Sequence, residues 1–374
     1  MKNLSADGLR GLAALNVAIS HFIAAFIPTM LHKNHPSLFS ENESPSLLFN
    51  LLTSPIASIF YNGHFAVLIF FVLSGYVLTL PYFENPVQSK QILARRLLGR
   101  YLRLNIPIAA AIGISFIFYS LNLYANIKAA DLSGSTQWFN LYFKPGLTPL
   151  IALKEMLYES IILGKGQFLP PVWTLKIEFI GSLYILFFYL FKPKNRTWLS
   201  GLIAFVLLYL IHRENSIYFY AIFCGSFLSQ CKPTLALKII LFSSGIYFGG
   251  FQFESYFYNF LPDVVVWEKK TFYNTIGAIF LTVSVVQGFG VPFFTSKPIQ
   301  FLGKISFSMY LLHFIILCSV SSYFYMDFDK APLSLASQLL AYLFLCLLAS
   351  KIFEQWVDRP AIKISHQFAS SVSK

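Results

Sequence analysis

The stretch GLRGLAALNVAISHF, residues 8–22, is apolar and rich in small residues, yet it contains one arginine and one histidine. Arg10 and His21 lie eleven positions apart, and eleven helical steps of about 100° end roughly 20° past three full turns. Their side chains therefore share one face of a helix. The rise between them is about 16 Å, which is roughly half the hydrocarbon thickness of a bilayer. If Arg10 marks the inner boundary of a membrane helix, His21 is predicted to lie near its centre.

The composition of the whole chain agrees with this interpretation. Of its 374 residues, 56% are hydrophobic and 12% are charged, whereas soluble domains contain about 25% charged residues. An ordinary soluble protein is therefore excluded. The formal net charge of +12 does not indicate nucleic-acid binding, because the basic residues follow the pattern of membrane orientation. We predict contact with membrane lipids and no nucleic-acid partner.

Ten segments are apolar enough to form helical spans, which need about 20 residues each, and the fifth and sixth are the shortest. The segments are 9–30, 63–82, 104–124, 172–191, 197–212, 217–230, 234–252, 271–290, 303–324 and 333–356. We predict an all-α polytopic membrane protein with about ten transmembrane helices. A single domain is expected to cover residues 1–374, with no separate soluble domain. The longest insertions, 31–62 and 125–171, are expected to lie outside the membrane.

The distribution of charge orients these spans. With the N-terminus inside, 18 of the 28 basic residues fall in inner segments, whereas 12 of the 16 acidic residues lie outside or within a span. Basic residues concentrate on the cytoplasmic side of membrane proteins. Both termini are therefore predicted to be cytoplasmic, and the number of spans is predicted to be even.

Two further ionisable residues are predicted at the depth of His21. Glu178 lies about six residues into the fourth span, and His313 lies about ten residues into the ninth. Ionisable groups inside a membrane are costly and usually functional, and a carboxylate can fix the tautomer of a histidine. The three residues are candidates for one buried acid–base site. The alternative is that each makes a separate hydrogen bond between helices.

The segment ARRLLGRYLRLNIP, residues 94–107, carries a second pattern of charge. Arg96, Arg100 and Arg103 follow the spacing i, i+4, i+7, so in a helix they form one cationic stripe. Guanidinium groups bind phosphate oxygens in bidentate fashion. A phosphorylated ligand and the phosphates of membrane lipids are both compatible with this stripe.

The segment NGHFAVLIFFVLSGYVLTLPYF, residues 62–83, contains Ser74 and Gly75, a pair that permits close helix packing. His64, at the outer end of this span, is compatible either with ligand contact or with a place in the membrane interface. The sequence contains no GxGxxG, GxxxxGK[ST] or HExxH motif and no clustered Cys/His set. No metal site and no soluble nucleotide-binding fold are predicted.

These motifs, in this order, resemble the acyltransferase-3 family of integral membrane acyltransferases, which includes enzymes that O-acetylate surface glycans. The matching pieces, spread from residue 7 to about 313, are DGLRGLAALNVAISHF, GHFAVLIFFVLSGYVLT, RRLLGRYLRLNIP, VWTLKIEFIGSLYIL and LGKISFSMYLLHF. The resemblance implies ten helices with cytoplasmic termini in a membrane, most simply the bacterial inner membrane. It also implies acetyl-CoA as the acyl donor from the cytoplasm, and a hydroxyl of a glycan or glycolipid as the acceptor on the other side.

The family's motif residues can be carried onto this sequence position by position. The arginine and histidine of its first helix match Arg10 and His21. The other matches are the arginine pair Arg100 and Arg103, the serine–glycine pair Ser74 and Gly75, and the tryptophan and acid Trp173 and Glu178. Members often have two adjacent acids in the fourth helix, whereas Glu178 is followed by Phe179. Some members have an additional C-terminal soluble domain; here the membrane domain and its outer insertions are expected to bind the acceptor.

The resulting hypothesis assigns Arg10, Arg100 and Arg103, with Arg96 on the same stripe, to the phosphates of CoA. His21 is the general base for the acceptor hydroxyl or, in a two-step route, takes the acyl group itself. Glu178, or else His313, orients His21, and we expect Glu178.

Two other classes of protein are also compatible with the sequence. One is a secondary transporter or proton-coupled exporter with a proton relay through the three buried ionisable groups. The other is a membrane scaffold or glycan-binding protein.

Overall fold

The computed structural model describes residues 3–43, 45–84, 89–191 and 197–372. Within these residues 78% are helical and no strand is present, so the all-α class is confirmed. The eleven longest helices are α1 (Leu4–Phe26), α2 (Gly63–Glu84), α3 (Ser89–Ser120), α4 (Trp173–Phe191), α5 (Thr197–His212), α6 (Ser216–Gly225), α7 (Leu235–Gly249), α8 (Lys269–Val286), α9 (Lys297–Ile316), α10 (Pro332–Phe353) and α11 (Arg359–Val372). The end of the bundle at which α1 begins is called the inner end below, and the opposite end the outer end.

Each of the ten predicted spans overlaps one of these helices. Seven helical stretches are long and apolar enough to cross a membrane. The count falls below ten because α5 and α6 run together in one stretch, α7 has only 15 residues, and α8 begins with two lysines. The chain is an integral membrane protein, whereas the number of spans and the side of the termini stay predictions. Five basic residues of the orientation count, Lys2, Lys192, Lys194, Arg196 and Lys374, lie outside the described residues.

Short helices fill the two long insertions at the outer end. They are Leu47–Leu52 and Pro55–Ser58 in the first insertion, and Asn126–Ser133, Pro149–Lys154 and the π-helix Glu155–Leu163 in the second. The second insertion is fixed to α1, because the Ser135 hydroxyl donates a hydrogen bond of 2.7 Å to the carbonyl of Ala24. Trp138 of the same insertion thereby reaches the side chain of His21, with ring centroids 5.4 Å apart.

The tenth span does not end in a free tail. The helix predicted to stop at residue 356 continues through the π-helix Glu354–Asp358 into α11, which packs against α3 at the inner end. An ion pair of 2.6 Å joins Arg103 of α3 to Asp358, the last residue of the π-helix. The last segment of the described chain therefore contributes to the inner end of the bundle.

Helices α1 and α9 cross closely near the inner end. A Cβ atom on Gly11 would lie 2.3 Å from the backbone nitrogen of Gly303, so no larger residue fits without moving a helix. Small residues allow membrane helices to bring their backbones together. This contact fixes the relative position of the two helices that carry the buried histidines.

Candidate active site

A hydrogen bond joins the two histidines predicted near the membrane centre. His21 Nδ1 and His313 Nε2 are 2.8 Å apart. His313 Nδ1 lies 3.0 Å from the carbonyl oxygen of Met309, which can only accept a hydrogen bond. Neutral His313 therefore carries its proton on Nδ1 and accepts through Nε2, so that His21 donates from Nδ1. The Nε2 atom of His21 is left unprotonated, which is the form that a general base needs.

The alignment of α1 and α9 produces this contact. Gly11 meets Gly303 at the close crossing, and the two histidines follow ten residues later on each helix. Equal spacing from one contact to the next requires the two helices to run in the same direction. Two parallel helices that touch through their glycines thus bring His21 and His313 together about 15 Å farther along.

The expectation that Glu178 completes His21 is corrected by the geometry. Glu178 Oε1 lies 2.8 Å from Nη2 of Arg100 and 3.3 Å from the hydroxyl of Ser74. A guanidinium is a stronger partner for a carboxylate than a neutral imidazole is, because both groups of the pair are charged. Arg100 also donates from Nε to the Ser182 hydroxyl at 2.9 Å. Four side chains from α2, α3 and α4 therefore form one polar cluster.

The other two arginines expected at the donor site also pair with acids. Arg10 contacts Asp7 at 3.0 Å, one turn away on α1, and Arg103 contacts Asp358 at 2.6 Å. A guanidinium has five N–H donors, so each keeps donors for a further ligand after one carboxylate contact. Neither acid was predicted as a site residue, although Asp7 belongs to the motif DGLRG.

Arg96 has a different environment from the rest of the stripe. Its Nη1 atom donates to the carbonyl oxygens of Val77 and Leu78, at 2.6 and 2.9 Å. Pro81 lies within α2 and lacks the N–H that would otherwise bind the carbonyl of Val77. Arg96 therefore satisfies a backbone group that a proline leaves free, which gives it a structural task beside the predicted role in donor binding.

Two cavities lie at the inner end, with volumes of about 440 and 840 Å³. Both are lined by Arg10, Arg100 and Arg103. The charged groups of the smaller cavity balance, because these arginines and one lysine face four acids: Lys304, Asp7, Glu178, Glu354 and Asp358. The larger cavity is strongly cationic, since five arginines and one acid line it: Arg10, Arg95, Arg96, Arg100, Arg103 and Asp7.

A third cavity, of about 240 Å³, lies at the outer end and is lined by His21 and by aromatic residues of the second insertion and α4, Trp138, Tyr142 and Trp173. Val67, Thr174 and Tyr310 line both this outer cavity and the smaller inner cavity. The hydroxyls of Thr174 and Tyr310 are 2.5 Å apart. These three side chains form a constriction between the two cavities.

Neither Thr174 nor Tyr310 was predicted as a site residue. A signal was present, because Tyr310 precedes His313 by three positions, which places both on one helix face. Thr174 directly follows the motif residue Trp173. Their contact across 136 positions depends on helix packing and had no signal in the sequence.

The remaining motif residues occupy the walls of the bundle. A Cβ atom on Gly75 would lie 1.8 Å from the carbonyl oxygen of Ile222, so α2 and α6 touch through their backbones. Ser74 faces another helix, with its hydroxyl toward Glu178 of α4. Trp173 is partly exposed at the outer cavity and packs against the ring of Tyr218. Within the described residues, no group of three His, Cys, Asp or Glu side chains is arranged to hold a metal ion.

Comparison with known proteins adds one finding. The acyltransferase domain that defines the acyltransferase-3 family matches residues 3–354 of the chain. This range contains all of the predicted site residues and nearly all of the chain. No curated protein and no solved structure matches.

Proposed function

Because the chain belongs to the acyltransferase-3 family and is a membrane acyltransferase, we propose that it transfers an acetyl group from acetyl-CoA at the inner face to a hydroxyl at the outer face. The acceptor class is a carbohydrate or glycolipid of the cell envelope, and the membrane is the inner membrane of a bacterium. The whole site is proposed to lie in the transmembrane domain and its outer insertions.

One observation carries this proposal. His21 lies at an outer cavity that meets the smaller inner cavity at the constriction of Val67, Thr174 and Tyr310. A donor that enters from inside and an acceptor that enters from outside would therefore meet beside His21. The aromatic side chains of the outer cavity also suit a sugar, because rings of tryptophan and tyrosine combine an apolar face with a polar edge.

The charge of the two inner cavities supports a position for each part of the donor. The phosphates of CoA would lie in the larger cavity, where five arginines face a single acid. The pantetheine arm is uncharged and would occupy the smaller cavity, in which the charges are balanced. Its thioester end would pass the constriction to reach His21. Volumes of about 440 and 840 Å³ fall in the range of roughly 300–1,000 Å³ that is usual for small-molecule sites.

The chemistry at His21 follows from its tautomer. Nε2 takes the proton of the acceptor hydroxyl while the hydroxyl oxygen forms a bond to the thioester carbonyl carbon. The carbon–sulfur bond then breaks, and the sulfur leaves as the thiol of CoA after it receives the same proton from His21. His313 is a positioning residue whose Nε2 atom accepts a hydrogen bond from the Nδ1–H group of His21 throughout, which stabilises the imidazolium in the middle of the reaction. Direct transfer of this kind needs no acyl-enzyme.

In this proposal Glu178 holds Arg100 rather than orienting the base, and its contact with Arg100 supports that role. A proton relay through His21, Glu178 and His313, the alternative in a transporter, would require the carboxylate to contact the histidines. The contact of Glu178 with Arg100 supports the acyltransferase, in which Arg100 needs a fixed position beside the donor.

The experiment uses the purified full-length protein in liposomes with acetyl-CoA labelled in the acetyl group. Candidate glycans and glycolipids are offered, and label is measured in a base-labile ester. His21→Ala is expected to abolish ester formation. His212→Ala is the matched control, because His212 bonds Tyr184 and lines none of the three cavities. Ester formation at the wild-type rate by His21→Ala would refute the proposed chemistry.

Donor binding is tested separately. Arg103→Met is expected to raise the apparent KM for acetyl-CoA and to leave kcat less affected, because Arg103 lines both inner cavities and does not line the outer one. An unchanged KM for acetyl-CoA would contradict the assignment of the inner cavities to the donor.

A further inference from the structure

Two histidines of the outer cavity take no part in the proposed transfer. His35, from insertion 31–62, and His64, at the start of α2, line the outer cavity together with His21. The Nδ1 atom of His64 is buried and has no hydrogen-bond partner among the described residues. These two histidines give the cavity of His21 a polar side, and the charged groups around them indicate which ligand they bind.

The first two residues of α8 are lysines with opposite environments. Lys269 pairs with the exposed carboxylate of Asp263 at 2.9 Å. Lys270 is fully buried, and within the part of the chain that the structure describes no carboxylate lies within 4.0 Å of its ammonium group. The neighbouring acid, Glu268, accepts a hydrogen bond from the Thr271 hydroxyl at 2.6 Å instead. Glu268 attracts this ammonium group only from beyond contact distance. A buried ammonium group without a carboxylate in contact is unfavourable, which indicates that a negative charge is to be supplied from elsewhere.

The hydrogen-bond partners of Lys270 among the described residues are both neutral. Its Nζ atom lies 2.9 Å from the carbonyl oxygen of Asn34 and 3.1 Å from Nε2 of His35. An ammonium group can only donate, so Nε2 of His35 accepts and the neutral ring carries its proton on Nδ1. No described residue accepts a hydrogen bond from that Nδ1 atom. Burial and then the Lys270 ammonium lower the pKa of His35 well below its usual range, which keeps the ring neutral.

We propose that the outer cavity binds an acceptor sugar that carries a carboxylate, which His35 and the ammonium of Lys270 behind it recognise, while the hydroxyl to be acylated faces His21. This inference rests on the proposed function and names the acceptor class for the same site. A carboxylate brings one negative charge, which matches the single buried ammonium group. A phosphate would bring up to two negative charges, which exceeds the single positive charge of Lys270.

The test measures binding directly, so that it does not depend on acyl transfer. Glucuronate and glucose share a ring and differ in one carboxylate, and glucose 6-phosphate provides the phosphate arm. Saturable binding of each is measured on the purified full-length protein in detergent, from the change in tryptophan fluorescence and by equilibrium dialysis. We expect glucuronate to bind roughly tenfold or more tightly than either of the other two.

Variants then assign the preference to the buried lysine. Lys270→Met is expected to remove the advantage of glucuronate over glucose, whereas the matched control Lys269→Met keeps it. His35→Asn provides a second variant if Lys270→Met does not fold, as judged from its melting temperature, and is expected to weaken glucuronate binding in the same direction. The wild-type comparison needs no variant at all.

Three results would overturn the inference: equal affinity for glucuronate and glucose, tighter binding of glucose 6-phosphate, or no saturable glucuronate binding. Retention of the full glucuronate preference by both Lys270→Met and His35→Asn would overturn it as well. Failure of the proposed function would look different, because glucuronate would bind while no labelled ester formed with any acceptor.

Discussion

The hydrogen bond between His21 and His313 is expected to determine the rate of the transfer step. When His21 takes the proton of the acceptor, its Nδ1–H belongs to an imidazolium, and His313 Nε2, 2.8 Å away, accepts a charge-assisted hydrogen bond. His313→Leu removes this acceptor at a position that is only 1% exposed, where bulk water does not replace it. A hydrogen bond to a charged group contributes about 1.5–3 kcal/mol. The expected loss in kcat is therefore about 10- to 150-fold.

A second substitution at the same position separates the hydrogen bond from the shape of the side chain. The amide oxygen of His313→Gln can accept the proton of His21 Nδ1, so this variant is expected to lose less than about tenfold in kcat. Initial rates of labelled ester formation are measured at saturating donor and acceptor. The KM for acetyl-CoA is expected to stay unchanged, because His313 lines neither inner cavity.

The melting temperature of each variant shows whether the protein is folded, so that a loss of rate is not mistaken for unfolding. Wild-type kcat in His313→Leu would refute the positioning role of His313. So would an equal loss in the leucine and glutamine variants, because the glutamine restores the acceptor.

Three further predictions concern stability and are read from melting curves in detergent. Gly75→Ala is expected to destabilise the protein by about 1–3 kcal/mol or more, because its Cβ atom would lie 1.8 Å from a backbone carbonyl oxygen of α6. Gly201→Ala is the control and should not destabilise it, because no described atom beyond the local helix lies within 4 Å of the added Cβ atom. Equal melting temperatures of the two variants would contradict the close contact at Gly75. Arg96→Met leaves the Val77 carbonyl, which Pro81 already deprives of its helical donor, without a hydrogen bond. This variant is expected to lower the melting temperature and to leave the KM for acetyl-CoA nearly unchanged. A raised KM at an unchanged melting temperature would show that Arg96 serves mainly in donor binding. His35 has a lowered pKa in the folded protein, so its contribution to stability is present above the unfolded pKa of about 6.5 and is lost as the pH falls below it. The melting temperature should therefore fall on acidification, and His35→Asn should reduce that fall; an unaltered pH dependence in the variant would show that other groups cause it.

What the sequence could predict about the site was confined to single helices. The common face of Arg10 and His21 and the arginine stripe of α3 follow from helical periodicity, which is a local property. The choice of partner for His21 depends on contacts across 292 positions. Glu178 and His313 were predicted at similar depths, and depth does not determine which of two helices faces α1.

The helices of the fold were likewise predictable from local patterns, whereas their packing was not. Apolar segments of sufficient length indicate membrane helices, and each predicted span overlaps a helix. The helix α11 was not predicted as an element, because its polar residues resemble those of a free tail. Its packing against α3 places Asp358 beside Arg103, which no local pattern could indicate.

The equal spacing of contacts on α1 and α9 limits how this chain can vary. An insertion of one residue between Gly11 and His21 would turn the imidazole by about 100° and move it by about 1.5 Å, away from His313. Substitutions along this stretch leave the spacing intact, whereas insertions and deletions do not. The same insertion between Gly303 and His313 would turn the second imidazole by about 100° as well and would not restore the contact. Active relatives of this protein are therefore expected to differ in the identity of the residues between the glycine and the histidine of each helix. The number of these residues is expected to be the same as here in both helices.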